Sequence, residues 1–318
     1  MINVGVIGAG HFGREHARVY STIPAASLSG VCDTNEPAGI SVARQYGAPY
    51  FSDYREMIGK VDAVSLAVPT VHHCAIACDL LAAGIAVLVE KPISQTIEEA
   101  GRMIEVAARA NAILQAGHLE RFNPAVIAAS RIVTRPLFFE VHRLSVFTPR
   151  SLDIDVVMDL MIHDIDIVLS FVKGDIADVR AAGVPVLTPR VDIASARLEF
   201  ENGCVANLTA SRVSSERVRK LRFFQPHEYV SIDYSSQEAA VVRVSHKADG
   251  PPEFEARPLE VNRGEPLRNE IESFLAAVSG APVAVTAIEA RRALEVAIAI
   301  ADKVREHAGK AGVPFAGM

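Results

Sequence analysis

Short apolar runs alternate with amphipathic segments through the first 117 residues of the chain. The runs at 2–7, 28–32, 61–68, 85–89 and 112–116 are rich in valine, isoleucine, leucine and alanine. They show little polar alternation, which is typical of strands buried on both faces of a parallel sheet. The segments 12–20, 38–46, 72–83 and 97–110 between them have helical periodicity. This alternation predicts an α/β fold built on a doubly wound parallel sheet.

The pattern changes after about residue 117. One strongly apolar helical segment is predicted at 155–172, and two further helices are predicted at 266–279 and 287–307. Longer runs separated by turns predict strands at 177–187, 193–200, 204–213, 219–224, 229–234 and 239–245. We therefore expect an α/β domain at residues 1–118, followed by an α+β domain on a mainly antiparallel sheet at residues 119–318.

Composition narrows the class of protein. Half of the 318 residues are hydrophobic and 22% are charged, which is typical of globular proteins. The net charge of −6 and the lack of a basic run argue against nucleic acid or a membrane surface as a partner. The chain enters a strand at once, without a basic leader, and no apolar stretch is long enough to span a bilayer. Its four cysteines lack disulfide or zinc spacing, so we expect a cytoplasmic protein with reduced thiols and no metal site.

A G-x-G-x-x-G motif follows the first predicted strand and opens the first predicted helix. It is formed by Gly8, Gly10 and Gly13, with His11 and Phe12 between the last two glycines. In this context the glycines permit a tight turn, a close approach of the backbone to a pyrophosphate, and close packing of the helix on the sheet. The free N–H groups of the helix N-terminus would hold the phosphates. The motif therefore predicts a dinucleotide site that includes all five residues.

Asp33 ends the second predicted strand, 20 residues after Gly13. Its carboxylate is placed to accept hydrogen bonds from the ribose hydroxyls of a dinucleotide and to repel a 2′-phosphate. The next two residues, Thr34 and Asn35, are not basic. NAD is therefore expected in preference to NADP. The alternative is a glycine turn that binds nothing.

Two further groups of polar residues follow the ends of predicted strands. Pro69 ends one strand and His73 comes within a turn of it, while Glu90 and Lys91 end the next strand. Doubly wound sheets bind ligands at this edge, so these four residues are expected to contact the cofactor, and Lys91 the substrate as well. Lys91 is interpreted as an ammonium aimed into the cleft, with Glu90 holding it by an ion pair. Solvated side chains, and for His73 a surface position at a helix start, are the alternatives.

The apolar helix predicted at 155–172 carries a sparse set of polar residues. Asp155, Asp159, His163 and Asp166 follow one another at spacings of four, four and three, which places them in one stripe. An acidic stripe on an otherwise apolar helix is costly unless it faces a cleft or partners, although a solvated face is the alternative. Asp159 would stabilise the imidazolium form of His163 and raise its pKa, as expected of a base that accepts an alcohol proton.

Together these motifs resemble the glucose–fructose oxidoreductase/inositol dehydrogenase (Gfo/Idh/MocA) family over the whole chain. The matching residues are Gly8, Gly10 and Gly13; Pro69 and His73; Glu90, Lys91 and Pro92; and Asp159, His163 and Asp166. The resemblance implies a Rossmann domain followed by a domain with a large open sheet that is often used for oligomerisation, as a homodimer or homotetramer. It also implies that Lys91, Asp159 and His163 form one catalytic set.

A narrower branch of the family is suggested by two segments. Residues 117–124 and 151–163 resemble UDP-N-acetylglucosamine 3-dehydrogenase-like proteins, which implies substrate contacts from Glu120, Arg121 and Asn123. The alternative is that these three residues only stabilise the crossover between domains. One departure is that Asp155 and Val156 replace a glycine pair that often precedes the catalytic aspartate in the family.

The expected function is oxidation of a secondary hydroxyl of a sugar or nucleotide sugar, with NAD accepting the hydride. The best substrate hypothesis is UDP-N-acetylglucosamine oxidised at C3. Arginines suit a diphosphate, and the candidates are Arg121, Arg143, Arg150 and Arg212, although each can equally be a surface arginine. An inositol or free-sugar dehydrogenase, or an NAD-binding redox sensor without turnover, is the alternative.

Overall fold

The computed structural model describes residues 1–148, 154–245 and 251–312. Backbone contacts divide the chain into two compact units: unit 1 is residues 1–119 with 265–294, and unit 2 is residues 120–264 with 295–318. The strands are β1 (Ile2–Ile7), β2 (Ala26–Cys32), β3 (Tyr50–Phe51), β4 (Ala63–Leu66), β5 (Ala86–Glu90), β6 (Leu114–Gly117), β7 (Phe138–Leu144), β8 (Ile176–Val184), β9 (Ile193–Phe200), β10 (Val205–Ser211), β11 (Val218–Gln225), β12 (Glu228–Asp233), β13 (Glu238–Ser245) and β14 (Glu253–Pro258). The α-helices are α1 (His11–Tyr20), α2 (Glu36–Gln45), α3 (His73–Ala82), α4 (Ile97–Ala110), α5 (Pro124–Ser130), α6 (Ile162–Phe171), α7 (Pro266–Val278) and α8 (Ala287–Ala311).

Unit 1 is built on a six-stranded sheet with the order β3-β2-β1-β4-β5-β6. All of its strand pairs are parallel, which confirms the predicted doubly wound sheet. Because β1 lies between β2 and β4, the direction of winding reverses at β1. Ligands of such sheets bind in the crevice outside the carboxyl ends of the strands at this reversal.

The core of unit 1 joins the sheet to a helix from far along the chain. Val4 and Val6 of β1 and Ile271 and Phe274 of α7 are fully buried in one cluster. Burying one such side chain contributes about 1.5–3 kcal/mol. These residues therefore hold α7 firmly within unit 1.

Unit 2 is built on an eight-stranded sheet with the order β14-β13-β12-β11-β7-β10-β9-β8. Its pairs are antiparallel except for β7 and β10, which confirms the predicted, mainly antiparallel sheet. Along β11, Leu221 and Phe223 are buried while Arg222 and Phe224 are exposed. Helix α6 packs on β7 and β10, and α5 packs on β12 and β13, so helices cover one face of the sheet.

The sequence pattern missed several elements. Strands β3, β7 and β14 and helix α5 were not predicted. In β7 the buried positions are Phe139, Val141 and Arg143, and the arginine interrupts the apolar alternation that identifies a strand. The helix predicted at 155–172 begins instead as a π-helical turn at Val157–Met161 and continues as α6. None of the helices in the described part of the chain is long and apolar enough to cross a membrane.

Candidate active site

The predicted dinucleotide turn lies between β1 and α1 in unit 1. Gly8 has a φ of +97°, and a Cβ there would lie 2.4 Å from the carbonyl oxygen of Ala67. A Cβ on Gly13 would lie 1.7 Å from the carbonyl oxygen of Gly8, so only glycine lets α1 approach the turn. A Cβ on Gly10 would meet nothing within 4 Å. The turn therefore leaves open space beside Gly10, at the N-terminus of α1, and its residues fit a bound pyrophosphate.

The two residues between Gly10 and Gly13 lie on the surface of this turn. His11 and Phe12 are both exposed, and their rings meet edge to face with centroids 5.6 Å apart. Phe12 keeps half of its surface accessible. Their contact with a cofactor stays a prediction.

Asp33 is tied to the glycine turn. Its Oδ2 accepts a hydrogen bond from the backbone N–H of Ala9 at 2.5 Å, and its Oδ1 accepts one from the N–H of Asn35 at 2.7 Å. These two bonds fix the carboxylate at the carboxyl end of β2. Each oxygen has a further lone pair, so the group can also accept hydrogen bonds from ribose hydroxyls.

His73 lies beneath the strand ends. It is 1% exposed, and its ring nitrogens lie 2.9 Å from the carbonyl oxygen of Val68 and 3.0 Å from that of Pro92. Burial lowers the pKa of His73 and favours the neutral ring, whose one N–H donates to one of these two carbonyl oxygens. The structure thus uses this side chain to bridge two loops, while Pro69 is exposed on the first of them. A cofactor contact from either residue stays a prediction.

Glu90 and Lys91 follow β5, at the same edge of the sheet. The Glu90 carboxylate lies 2.9 Å from Nε2 of His16 and accepts a hydrogen bond from the backbone N–H of Lys91 at 3.3 Å. His16 was not among the predicted site residues. Lys91 is half-buried. Glu90 is therefore anchored to α1 as well as to the turn that carries Lys91.

In unit 2, Asp159 and His163 lie on two consecutive helical turns, the first π-helical and the second α-helical. Asp159 belongs to the π-helical turn and His163 to the first turn of α6, and both are half-buried. Isolated π-helical turns occur frequently at functional sites. The structure thus leaves both side chains partly accessible, as a contact with substrate requires.

Two residues of the predicted polar stripe have partners within unit 2. Asp155 caps the π-helical turn, because its Oδ1 accepts hydrogen bonds from the N–H groups of Val157 and Met158, both at 2.9 Å. Asp166 is 1% exposed and binds Arg121 through two hydrogen bonds of 2.7 and 3.1 Å. Spacing alone does not separate a capping residue and a buried ion pair from a face directed at a ligand.

A buried ionic network, which the sequence did not predict, adjoins the same helix. Arg143 is 2% exposed and binds Asp164 through two hydrogen bonds of 2.7 and 2.8 Å, and Glu120 through one of 3.0 Å. Although burial alone would lower it, these carboxylates raise the pKa of Arg143 well above its usual value. Asn123 extends the network by donating to Glu120 and to the carbonyl oxygen of Tyr234, both at 3.1 Å. Glu120 and Asn123 thus contribute internal bonds to unit 2, and their substrate contacts stay predictions.

The arginines considered for a diphosphate have protein partners where the structure describes them. Arg121 and Arg143 pair with the carboxylates of α6. Arg212 is 5% exposed and donates to the carbonyl oxygen of Ile154 at 2.6 Å. Arg150 lies outside the described residues.

Each unit therefore carries its own set of candidate functional groups. Unit 1 offers a backbone cradle for a pyrophosphate, a fixed carboxylate and a lysine at one sheet edge. Unit 2 offers a carboxylate and an imidazole on one short helical segment, a pair suited to proton transfer from a hydroxyl.

Comparison with known proteins places these parts in a family context. Residues 2–118 match the model of an oxidoreductase family with an NAD-binding Rossmann fold, and residues 133–225 match the GFO/IDH/MocA C-terminal domain. The first match confirms the predicted cofactor, NAD.

Individual proteins are similar over almost the whole chain. A UDP-N-acetylglucosamine 3-dehydrogenase from Acidithiobacillus ferrooxidans is 37% identical, over 94% of this chain and 96% of that protein. A solved structure of that enzyme has a TM-score of 0.90 at 36% identity and covers 96% of this chain and 98% of its own. An inositol 2-dehydrogenase from Rhizobium meliloti is 25% identical over 96% of this chain and 97% of that protein. A levoglucosan dehydrogenase in complex with NADH shares the fold, with a TM-score of 0.85 at 21% identity over 96% of this chain and 97% of its own.

Proposed function

Because this chain belongs to the GFO/IDH/MocA oxidoreductase family, we propose that it is an NAD-dependent dehydrogenase that oxidises the 3-hydroxyl of UDP-N-acetylglucosamine. The observation that carries the substrate is the 37% identity, over 94% of the chain, to an enzyme of that name. The chain also has the lysine, aspartate and histidine that the reaction requires, at Lys91, Asp159 and His163.

The cofactor site is assigned to the first turn of unit 1. The backbone beside Gly10 and the N-terminus of α1 would hold the pyrophosphate, and Asp33 would accept the ribose hydroxyls. Its negative charge would repel the 2′-phosphate of NADP, which supports NAD. Bound NAD supplies the hydride acceptor.

The chain's own groups handle the proton and the developing charge. His163 accepts the proton of the 3-hydroxyl as the hydride leaves the same carbon, which gives a ketone. The ammonium of Lys91 stabilises the negative charge that develops on the reacting oxygen. Asp159, four residues before His163, orients the substrate or the imidazole.

An inositol dehydrogenase is the second candidate, because an inositol 2-dehydrogenase also matches along almost the whole chain. The two differ in the need for a nucleotide. A thermal-shift experiment with NAD present would compare UDP-N-acetylglucosamine with myo-inositol, since a ligand at a hundred times its Kd adds about 2.7 kcal/mol to stability. We expect only the nucleotide sugar to raise the Tm.

Turnover is tested by trapping the keto product with a coupled aminotransferase, because an unfavourable reduction of NAD can hide the reaction. We expect aminated product from UDP-N-acetylglucosamine, formed about 10²–10⁴-fold more slowly by the His163→Ala variant. Ready reduction of NAD by inositol, without a shift or product from the nucleotide sugar, would overturn the proposed substrate and leave the dehydrogenase assignment in place.

The proposal includes a homodimer or homotetramer formed through the open face of the eight-stranded sheet, acting in the cytoplasm. Phe138, Phe224 and Tyr229 form a contiguous aromatic group on that face, with ring centroids 5.0–6.1 Å apart. The four cysteines are buried and unpaired, in keeping with a reducing compartment. Light scattering should show a smaller assembly for Phe224→Glu than for wild type, whereas an unchanged mass would exclude this face.

A further inference from the structure

A buried chain of hydrogen bonds runs from α1 to the end of β5. The hydroxyl of Tyr20 lies 2.9 Å from Oγ of Ser65, which lies 2.9 Å from Nδ1 of His16. Nε2 of His16 then lies 2.9 Å from the Glu90 carboxylate. Burial raises the pKa of Tyr20, so its hydroxyl stays a donor. Each group can donate to the next, and the chain ends on Glu90 as an acceptor.

Glu90 is therefore the charged member of this group. It accepts from His16 and from the backbone N–H of Lys91. Although burial alone would raise it, His16 and then Lys91 hold the pKa of Glu90 below its usual value. The carboxylate is thus ionised at neutral pH.

A second carboxyl group reaches the same place from α7. The side chain of Glu270 is fully buried, and neither of its carboxyl oxygens has a hydrogen-bond partner among the described residues. One carboxyl oxygen of Glu270, one carboxylate oxygen of Glu90 and one ring nitrogen of His16 all lie within 4.8 Å of one another. Gln115 of β6 donates from Nε2 to the backbone carbonyl oxygen of Glu270 at 3.5 Å, and not to its carboxyl group. Within the described ranges, the titratable groups recorded next to Glu270 are His16 and Tyr20 from α1 and Glu90 from β5.

Two carboxylates this close in a water-poor core cannot both be charged at an acceptable cost. Since His16 and the Lys91 backbone already stabilise the charge on Glu90, Glu270 is the group that binds a proton. We infer that Glu270 is a neutral carboxylic acid in the folded protein and acts as a positioning residue for the Lys91 turn, by leaving Glu90 as the single charge there. Burial, and then the charge of Glu90, raise the pKa of Glu270 well above its usual value.

The protonation of Glu270 has a consequence for folding. A glutamate is ionised in the unfolded chain above about pH 4.3, so folding must take up one proton at neutral pH. The stabilisation from this proton is complete below the unfolded pKa and is lost as the pH rises through the folded pKa. Between the unfolded and the folded pKa of Glu270, the folding equilibrium constant falls about tenfold for each unit of rising pH.

The first experiment measures unfolding in denaturant between pH 6 and 8 for wild type, Glu270→Gln and Glu272→Gln. Glu272 is the matched control, because it lies on the same helix with 46% of its side chain exposed. We expect the slope of the logarithm of the folding constant against pH to differ by one proton between wild type and Glu270→Gln. Glu272→Gln should keep the wild-type slope. Equal slopes for wild type and Glu270→Gln would overturn the inference, and no substrate is needed to see it.

The second experiment tests the positioning role, which rests on the proposed function of Lys91. Glutamine and methionine fill similar space, and both leave Glu90 as the single charge. We expect kcat within about twofold of wild type for Glu270→Gln and for Glu270→Met, with the Kd for NAD unchanged in both. A loss of kcat of about tenfold or more in Glu270→Met, at wild-type stability, would remove this positioning role and leave the protonation result standing.

A divalent cation held by His16, Glu90 and Glu270 is the rival arrangement. Elemental analysis of the purified protein and its Tm with and without EDTA distinguish the two. We expect less than a tenth of an equivalent of metal and no change in Tm. One equivalent of metal, with a Tm that falls on chelation, would overturn the neutral-acid assignment.

Discussion

The two units present their candidate functional groups in different ways. In unit 1, Asp33 and Lys91 directly follow β2 and β5, where the topology of a parallel sheet gathers ligand-binding groups. In unit 2, Asp159 and His163 lie on a helical segment that also carries Asp164, which is buried in an ion pair. Topology alone therefore locates the polar groups of unit 1. A polar pattern on a helix mixes residues that face a ligand with residues that hold the helix in place.

The largest effect should come from the groups assigned to the reacting oxygen in each unit. Lys91→Met and His163→Ala should each lower kcat by about 10²–10⁴-fold, because each removes stabilisation of charge or proton transfer in the transition state. The Kd for NAD, measured by titration, should stay within about twofold of wild type. Near-normal kcat in either variant would remove that residue from the mechanism, provided that its unfolding curve matches wild type.

The next effect separates buried charge from functional charge within unit 2. Arg143→Met leaves Asp164 and Glu120 buried without their cation, which should lower the free energy of unfolding by about 3–5 kcal/mol. Lys303→Met is the control, since its pair with Glu306 is half exposed and contributes at most about 1 kcal/mol. Chemical denaturation of both variants measures the difference. Equal losses would mean that the buried ion pairs of Arg143 contribute no more to the free energy of unfolding than the exposed pair of Lys303.

The sequence predicted most of the fold because its periodicities are local. Strand β1 and helix α4 have the predicted bounds, and the parallel and antiparallel sheets follow from alternation and turn spacing. Strand β7 was missed because Arg143 occupies an inward position, where the pattern requires an apolar residue. Arg143 pairs with Asp164, and Asp166 of the polar stripe pairs with Arg121. The missed strand and the mixed roles within the stripe thus have a related cause, because residues of a buried ion pair are as polar as surface residues.

Long-range placement was the other limit. Glu270 lies 180 residues after Glu90, and nothing in the amphipathic pattern of α7 indicates which sheet it covers. His16 likewise has the pattern of an ordinary helical residue until the fold brings it to Glu90. The glycine turn, Asp33 and Lys91 could be predicted because strand, turn and helix are consecutive there. Groups brought together by tertiary packing leave no comparable local signal.

A smaller effect tests whether Asp33 selects the cofactor by charge. Asp33→Asn keeps an acceptor for the N–H of Ala9 or Asn35 but loses the negative charge. The ratio of the Kd for NADP to the Kd for NAD should fall about tenfold, which corresponds to about 1.4 kcal/mol. Fluorescence titration with both reduced cofactors measures it. An unchanged ratio would show that another feature of the turn excludes the 2′-phosphate.

The smallest effect distinguishes a helix-capping residue from a catalytic residue on the helical segment of unit 2. Asp155 accepts two backbone hydrogen bonds at the start of the π-helical turn, so Asp155→Ala should cost about 1 kcal/mol of stability, as the loss of a helix cap does. It should leave kcat within about threefold of wild type, because the side chain is committed to the backbone. Asp159→Ala should do the reverse, with little change in stability and a much larger loss of kcat. Asp155→Asn should recover most of the stability, since its amide oxygen can cap the same N–H groups. If Asp155→Ala instead loses activity as severely as Asp159→Ala at unchanged stability, the polar residues form one functional face after all, and the distinction between cap and catalytic group does not hold for this segment.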